Sequence, residues 1–445
     1  MSHNELLKNE KIGKLLLKFS IPAIIGMVVN ALYNVVDRMY IGWIGPLAMT
    51  GIGLSLPLMT LLMGFGMLVG IGAGSRISIK LGEGHQDEAE RILGNAFTLL
   101  FFIMGAVMVL GLLFKTPLLY LFGASEATIG YADEYLTIIL YGAIFQGLGF
   151  GLTGVMRSEG HPTIAMMTTI GAALTNIVLD PIFIFGLDMG IAGAALATIL
   201  SQFFSMMVVI YHFTKGKSRL KLHSKNLKLS KAVVISIVSI GMSPFFMQVA
   251  ASVVSVIANN ALKAYGGDIA IGAMTVINAI AIFFLMPIFG INQGTQPIVG
   301  YNYGAREYGR VKQALKLAIT AGVTVATTGF ILTQFLTEPL VRIFNSDPEL
   351  IAVATKGMRI FLSMLPLVGF QIISANYFQA VGKAPKAIFL SLLRQVLVLI
   401  PLLIILPKIF GLTGVWYAGP TADFVASLLT ALFLFKELRH LDERV

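Results

Sequence analysis

The chain contains no cysteine and has few charged residues. Only 12% of its 445 residues are Asp, Glu, Lys or Arg, whereas about 25% is usual for a soluble domain. The lack of cysteine excludes disulfides, thiolate metal ligands and a cysteine nucleophile. The shortage of charge excludes a soluble enzyme, a secreted module and a nucleic-acid-binding domain, because so few charges cannot cover the surface of a soluble protein of 48.0 kDa.

Apolar residues are correspondingly abundant, at 56% of the chain. A membrane-spanning helix takes about 20 apolar residues. Hydrophobic runs such as 99–109 and 396–406 do not alternate polar with apolar residues, which excludes the strands of a membrane barrel. We expect an all-α integral membrane protein with twelve spans, numbered in chain order: 15–40, 48–79, 92–113, 128–156, 163–185, 191–213, 232–262, 269–299, 313–335, 351–380, 386–406 and 413–435.

The basic residues predict the orientation of these spans, since Lys and Arg concentrate in cytoplasmic segments. If the N-terminus is cytoplasmic, 24 of the 32 basic residues lie in inner segments and seven in outer loops or span edges. We therefore predict that both termini are cytoplasmic, in the cytoplasmic (plasma) membrane of a bacterium. The net charge of +10 is then a topology signal and indicates no nucleic-acid partner. The stretch from Met1 to Lys18 leads into a retained first span, because no small-residue cleavage site follows it.

The longest polar stretch inside the chain is Lys215–Lys231, with seven basic residues and no acid. We interpret it as a solvated cytoplasmic linker, with a lipid-headgroup or partner patch as the alternative. It divides the chain into three parts: an N-terminal six-helix lobe (1–213), the basic linker (214–231) and a C-terminal six-helix lobe (232–445).

The two lobes repeat each other in sequence. Pro22 in span 1 matches Pro244 in span 7, and the turn at Gly160 matches the turn at Gly382 at the same offset. At a similar offset Gly84 pairs with Gly304. Because each lobe has an even number of spans, the repeat is parallel and its pseudo-two-fold axis lies along the membrane normal. Two bundles related in this way are common in secondary transporters.

Motifs for nucleotide or metal chemistry are missing. Gly149–Gly154 matches G-x-G-x-x-G, but it lies within a span and has no preceding strand, so it indicates close helix packing. No zinc-type spacing occurs, and the histidines, such as His85, His161 and His223, are assigned no role. We expect no cofactor, and the energy for transport to come from an ion gradient.

Acids within spans are the informative residues, because charge is costly in a membrane. Three of them stand out: Asp37, Asp180 and Asp423. In span 5, Asn176 and Asp180 are four residues apart and share a helix face. In span 1 a polar stripe recurs at helical spacing: Asn30, Tyr33, Asn34 and Asp37.

The depth of these residues predicts that they meet. At 1.5 Å per residue, Asp37 lies about 6 Å and Asp180 about 8 Å from the outer ends of spans 1 and 5, and Thr198 lies about 10 Å inside span 6. Two carboxyl groups, amides and a hydroxyl at one level predict a site for H⁺ or Na⁺. No other metal is expected.

Several of these segments resemble the MATE (multidrug and toxic compound extrusion) family, in the bacterial branch that includes the MepA-like exporters. The motifs are the Pro22 to Asp37 span, Asn176-x-x-x-Asp180, Arg157-Ser158-Glu159-Gly160-x-Pro162, and Gly190-Ile191-Ala192-Gly193-Ala194-Ala195-x-Ala197-Thr198. The resemblance implies a twelve-helix antiporter that expels organic cations or amphipathic toxins in exchange for H⁺ or Na⁺. It also implies a cation site formed by Asp37, Asn176, Asp180 and Thr198, beside Tyr33 and Tyr135, to which we add Asn34.

Other residues are assigned supporting roles. Substrate-cavity or hinge candidates are Pro22, Met27, Asn30, Tyr135 and Met247, although methionine is also common core filler. Arg394 in span 11 and Asp423 in span 12 are expected to pair. Family acids in spans 7 and 10 are missing, so no second cation site is assigned.

Two rival functions remain open at this point. One is a lipid-linked oligosaccharide flippase of the same superfamily, and the other is a membrane-embedded lipid enzyme. Drug or toxin molecules and the lipid bilayer are the expected partners, and we expect the protein to function as a monomer.

Overall fold

The computed structural model describes residues 7–216, 218–344 and 347–443, and these residues form helices without any β-strand. Within them, ten helices are long and apolar enough to cross a membrane: Ile12–Ile44, Leu47–Gly82, Gln86–Leu121, Pro162–Gly186, Gly190–Thr214, Lys231–Gly267, Ile269–Gly304, Tyr308–Phe335, Ala384–Phe410 and Leu412–Leu441. They correspond to all the predicted spans except 4 and 10. Those two are bent pairs, Ile129–Tyr141 with Ala143–Ser158 (56°) and Pro348–Phe361 with Leu365–Ala380 (50°). Counting each pair as one span gives the predicted twelve.

Large apolar side chains point away from the protein along these helices. Leu113 is 69% exposed, Phe283 72% and Phe335 80%. Exposure of this extent suits a lipid environment, because the hydrocarbon core of a bilayer takes the place of water there. A shorter helix, Thr337–Arg342, precedes span 10, and a 3₁₀ turn, Ser224–Leu227, lies between spans 6 and 7.

Spans 5 and 11 both contain a widened, π-type segment, at Ile182–Gly186 and Leu393–Leu399. The first follows Pro181, and the second precedes Pro401, which occupies a corresponding place in the repeat. A proline lacks the N–H that an α-helix needs at that position, so the backbone hydrogen bonds rearrange around it. Both halves of the chain thus interrupt the same helix.

The turn after span 2 corrects one detail of the sequence comparison. Gly84 N–H bonds to Leu81 O at 3.2 Å, and Arg306 N–H bonds to Tyr303 O at 3.1 Å in the turn after span 8. Both residues adopt a left-handed backbone conformation, with φ of 83° for Gly84 and 61° for Arg306. The structural equivalent of Gly84 is therefore Arg306, two residues beyond the glycine with which the sequence paired it, and Arg306 adopts a conformation that suits glycine better.

Close packing of small residues explains the G-x-G-x-x-G segment. Gly70 in span 2 faces Gly151 in span 4 so closely that a Cβ on Gly70 would lie 2.8 Å from the Gly151 Cα atom. A Cβ on Gly151 would lie 2.8 Å from Leu100 in span 3. The segment is a helix-packing surface, as predicted.

By packing, the described residues form two compact units. The N-unit comprises residues 25–245, and the C-unit comprises residues 7–24 together with 246–443. The boundaries lie inside spans 1 and 7, directly after the repeat-related Pro22 and Pro244, and not in the linker. The division into six-helix lobes at 214–231 remains a prediction about the sequence repeat.

The linker itself is docked and not fully solvated, contrary to our interpretation of its charge. Asn95 Nδ2 in span 3 donates to the carbonyl oxygens of Asn226 and Lys228, at 3.2 and 3.3 Å. Asn95 Oδ1 accepts from Ser230 N at 2.7 Å, and Thr98 donates to Leu227 O at 2.8 Å. Amino-acid composition does not reveal this docking. The basic side chains dominate the composition of the linker, whereas the contacts are made by its backbone carbonyl groups, which composition does not register.

The C-unit holds the start of the described chain in a similar way. The Arg310 guanidinium at the beginning of span 9 donates to Leu7 O at 3.0 Å and to Glu10 O at 2.8 Å, and to Asn302 Oδ1 at 2.9 Å. The half-buried guanidinium group of Arg310 has several N–H donors and thus binds these backbone carbonyl groups.

Candidate functional site

The predicted cation cluster lies within the N-unit, on four spans. Asp37 belongs to span 1, Asn176 and Asp180 to span 5, and Thr198 to span 6, while Tyr135 lies in the first helix of span 4. Asn176 and Asp180 are fully buried, and Asp37 is 9% exposed. The structure therefore brings together residues that are far apart in the chain.

Asn176 connects the acid of span 5 with span 6. Its amide nitrogen lies 3.4 Å from Asp180 Oδ1 and 3.4 Å from Thr198 Oγ1. With the amide turned over, the nitrogen donates to Asp180 Oδ2 at 2.9 Å and the oxygen accepts from the Thr198 N–H at 3.3 Å. The second orientation satisfies both neighbours and fixes the Asp180 carboxyl group against span 6.

The side chains of Asp37 and Asp180 are neighbours in this buried cluster. Two neighbouring buried carboxylates repel each other, so their closeness favours a proton or a cation between them. Asp37 Oδ1 is buried and has no hydrogen-bond partner among the described residues. An acceptor left open in a buried site costs free energy unless a proton, ion or water meets it.

Two tyrosines complete the cluster. The side chains of Tyr33 and Tyr135 both lie near Thr198 and near the two acids, Asp37 and Asp180. Tyr135 is 2% exposed. The site thus combines two carboxyl groups, one amide and three hydroxyl groups. Each of them presents an oxygen atom, and oxygen atoms bind protons and hard cations well.

Asn34 is not part of the cluster, which corrects its assignment to the cation site. Its side chain is exposed, and Asn34 Nδ2 donates to Asn30 O at 2.6 Å within its own helix. The reason is angular, because consecutive helical residues point about 100° apart. Tyr33 and Asp37 lie about 40° apart around the helix, whereas Asn34 lies about 100° from Tyr33, at the edge of the stripe. Asn30 is also exposed, and its role in a substrate cavity remains a prediction.

The remaining hinge and cavity candidates are distributed between the units. Pro22 lies within a continuous helix, Ile12–Ile44. Met27 and Met247 are half-buried. Pro22 and Met247 belong to the C-unit and Met27 to the N-unit. Their roles in a substrate cavity remain predictions.

In the C-unit, Arg394 and Asp423 are in contact. Arg394 Nε donates to Asp423 Oδ1, and the pair joins spans 11 and 12. Arg394 lies in the π-type segment, and Asp423 is 5% exposed. The acid of the C-unit is therefore neutralised by a base, unlike the two acids of the N-unit.

One cluster was missed by the sequence reasoning. Glu159, in the turn after span 4, contacts His161 in the same turn, His212 near the end of span 6 and Ser218 in the linker. His161 and His212 are far apart in the chain, so no short spacing motif reveals them. The signal that was available is the Arg157–Pro162 turn motif, which contains Glu159.

The chain is also similar to known proteins. The MatE family model matches residues 22–182 and 244–405. The two matched segments begin at Pro22 and Pro244, the repeat-related prolines, in agreement with the predicted duplication. The family model therefore covers each half once.

Individual relatives match over nearly their whole length. The multidrug export protein MepA of Staphylococcus haemolyticus (strain JCSC1435) is 29% identical, over 97% of this chain and 95% of the relative. The solved structure of the MATE multidrug transporter DinF-BH is 39% identical, with a TM-score of 0.90, over 96% of each chain. A crystal structure of MATE in complex with MaL6 is 23% identical, covers 100% of both chains and shares the fold, with a TM-score of 0.94.

Proposed function

Because the chain belongs to the MatE family of transporters, we propose that it is a multidrug efflux antiporter. It exports organic cations or amphipathic toxins in exchange for H⁺ or Na⁺, by alternating access between its two halves. The relatives named as a multidrug export protein and a multidrug transporter support the efflux role. Energy coupling requires an ion that interacts differently with two conformations.

The observation that carries this proposal is that the Asp37 and Asp180 side chains are buried side by side in one cluster. It favours a proton as the coupling ion, since a proton on one carboxyl group removes the repulsion between two buried charges. Loss of the proton restores that repulsion. Proton entry and release thereby favour different arrangements of spans 1 and 5, which is what coupling needs.

Sodium is the alternative coupling ion. The same cluster offers carboxylate, amide and hydroxyl oxygens, which are the ligands that hard cations prefer. Ionisation of both carboxyl groups favours binding of sodium, because each then offers a charged oxygen ligand. The two ions therefore favour different protonation states of the same residues.

The test is ethidium transport by the purified chain in lipid vesicles. A pH gradient imposed without sodium drives ethidium uphill if the proton is coupled, and a sodium gradient at equal pH does so if sodium is coupled. An Asp37→Asn, Asp180→Asn double variant is the matched control for passive leakage. Uphill ethidium transport by the wild type in the absence of both gradients contradicts antiport. Transport by the wild type that is as slow as that of the double variant, when both gradients are imposed, also contradicts it.

A lipid-linked oligosaccharide flippase is the second candidate function, and a membrane-embedded lipid enzyme the third. The twelve spans and the acid pair of the N-unit support the exporter over the flippase. Expression in drug-sensitive cells separates the candidates, because an exporter raises the tolerated concentration of ethidium and the double variant does not. A flippase leaves that concentration unchanged.

We also propose that both termini are cytoplasmic, in the cytoplasmic membrane, and that one chain suffices for transport. The excess of basic residues on one side supports this orientation. Since the chain has no cysteine, a single introduced cysteine reports its side without background. A cysteine at exposed Lys225 should react with an impermeant maleimide only from the cytoplasm, and one at exposed Asp188 or Asp347 only from outside. Labelling at residue 225 in intact cells contradicts the topology.

A further inference from the structure

The cluster that the sequence reasoning missed has no part in the transport mechanism described above. We call Glu159, His161, His212 and Ser218 the turn–linker cluster. It joins three segments of the N-unit: the turn between spans 4 and 5, the end of span 6, and the linker. The Glu159 side chain is 2% exposed and that of His212 is 4% exposed, whereas that of His161 is 18% exposed.

Three potential metal ligands meet at one point in this cluster. Glu159 Oε1 lies 2.9 Å from His161 Nδ1 and is in direct contact with His212 Nε2. One ligand atom from each residue lies within 4.8 Å of the other two. The two imidazole rings meet edge to face, with centroids 5.0 Å apart, and both present a nitrogen to the same carboxylate oxygen.

The distance between Glu159 and His161 is close to that in a tetrahedral zinc site. Zinc–nitrogen and zinc–oxygen bonds of about 2.0 Å place tetrahedral ligands about 3.3 Å apart. The Glu159 and His161 atoms need to separate by only a few tenths of an ångström to admit an ion, and the His212 ring has to move back further. Two histidines and one glutamate are a known zinc ligand set, and imidazole also suits cobalt, nickel and copper.

The second carboxylate oxygen of Glu159 is already held. Ser218 Oγ lies 2.6 Å from Glu159 Oε2, and Leu220 N–H donates to Ser218 Oγ at 3.1 Å. Hydrogen bonds of this kind orient a metal ligand and are worth about 10- to 100-fold in affinity.

We propose that Glu159, His161 and His212 bind one divalent transition-metal ion, Zn²⁺ in the first place, and that the ion fastens the linker to the ends of spans 4 and 6. The partial exposure of His161 gives access from one side, where a water molecule supplies the fourth ligand. The burial of Glu159 and His212 leaves little room for a substrate, so the ion stabilises the fold and performs no catalysis.

The corresponding place in the C-unit offers an internal comparison. Glu437 near the end of span 12 contacts Lys383 in the turn after span 10, and Lys386 Nζ lies 2.9 Å from its other oxygen. Lys383 occupies the place in the repeat that His161 has in the N-unit, directly after the left-handed glycine of the turn. Protonated lysines have no lone pair for a metal, so only the N-unit version of this junction can bind one.

The test uses the full-length purified protein and Co²⁺ or Zn²⁺ alone. We expect one Co²⁺ per chain, with the visible absorption of a four-coordinate ion and, since there is no cysteine, no thiolate band. Zn²⁺ should displace it and raise the melting temperature, because an ion that binds only the folded state stabilises it. Both effects should disappear in His212→Gln and His161→Gln.

His85→Gln is the matched control, because His85 also lies 3.4 Å from two acids, Glu83 and Glu88, but at an exposed surface. It should bind Co²⁺ as the wild type does. Loss of the ion in His85→Gln, its retention in His212→Gln, or no binding by the wild type overturns the proposal.

A fourth variant serves if the histidine variants fail to fold. Ser218→Ala keeps all three ligands and should bind Co²⁺ about 10- to 100-fold more weakly. Binding by Ser218→Ala with the affinity of the wild type places the ion elsewhere and also overturns the proposal.

Discussion

Buried acids occur in the spans of both halves, but their neighbours differ. In the N-unit, Asp37 and Asp180 lie beside each other and near an amide and hydroxyl groups. In the C-unit, Asp423 is paired with Arg394. Two neighbouring acids repel each other when both are ionised, so binding of a proton or cation between them is favourable. An acid beside arginine is already neutralised. The duplicated halves therefore share a helical frame and differ in what their acids can do.

The strongest test of this difference is Asp180→Asn. An amide keeps the shape of the carboxyl group but removes its titratable proton, so coupled ethidium efflux should fall to background while the melting temperature stays near that of the wild type. Asp188→Asn, in the exposed loop that follows span 5, is the control and should retain efflux. Wild-type efflux by Asp180→Asn would make this acid structural.

The complementary test breaks the pair of the C-unit. Arg394→Met leaves the Asp423 carboxylate buried without its partner, which should destabilise the protein by about 3 kcal/mol. The double variant Arg394→Met, Asp423→Leu should regain most of that stability and retain coupling. Thermal unfolding in detergent measures the first effect and vesicle transport the second. A double variant that is stable but uncoupled would assign the C-unit pair to the transport mechanism.

The repeat-related prolines test whether bending also differs between the halves. Pro22 and Pro244 both lack a helical N–H, and a helix bends easily at such a point. If protonation of the N-unit acids bends span 1, Pro22→Ala should slow efflux more than Pro244→Ala at matched expression. Equal losses would assign the hinge to both spans.

The smallest expected effect concerns the equivalent turns at residues 84 and 306. Arg306 is strained at φ of 61°, and glycine in its place would avoid that strain. Arg306→Gly should therefore stabilise the protein by about 1 kcal/mol, and Gly84→Ala should destabilise it by about the same amount. Melting temperatures of the two variants give the answer, and changes of the same sign in both would refute the equivalence of the turns.

The features that depend on local patterns were predictable from the sequence. Twelve apolar runs predicted the spans, and helical spacing placed Asn176 with Asp180. Depth counting brought Asp37 to the same level, because the rise per residue in a helix is constant. The assignment of Asn34 to the cation site was wrong. A stripe of four polar residues covers too wide an arc of the helix for all four side chains to contact the same neighbouring helix.

Features that depend on distant contacts were not predictable in this way. His212 reaches Glu159 from the end of another span, and Asn95 in span 3 reaches the linker beyond span 6. Such contacts require knowledge of which helices are neighbours, and hydrophobic periodicity carries no information on that. The linker was predicted to be solvated because a count of charges includes only its side chains. The contacts that dock it are made by its backbone.

The positions of the unit boundaries have a consequence for the ancestry of the chain. Residues 7–24 begin the N-terminal half, yet they pack in the C-unit, where Arg310 holds Leu7 and Glu10. A single ancestral half, made as a separate polypeptide, would carry this segment without the surface that receives it. Two such polypeptides would complete each other only by exchanging segments, as in a domain-swapped dimer. In this chain the two halves are covalently joined, so the exchange is intramolecular and does not depend on protein concentration.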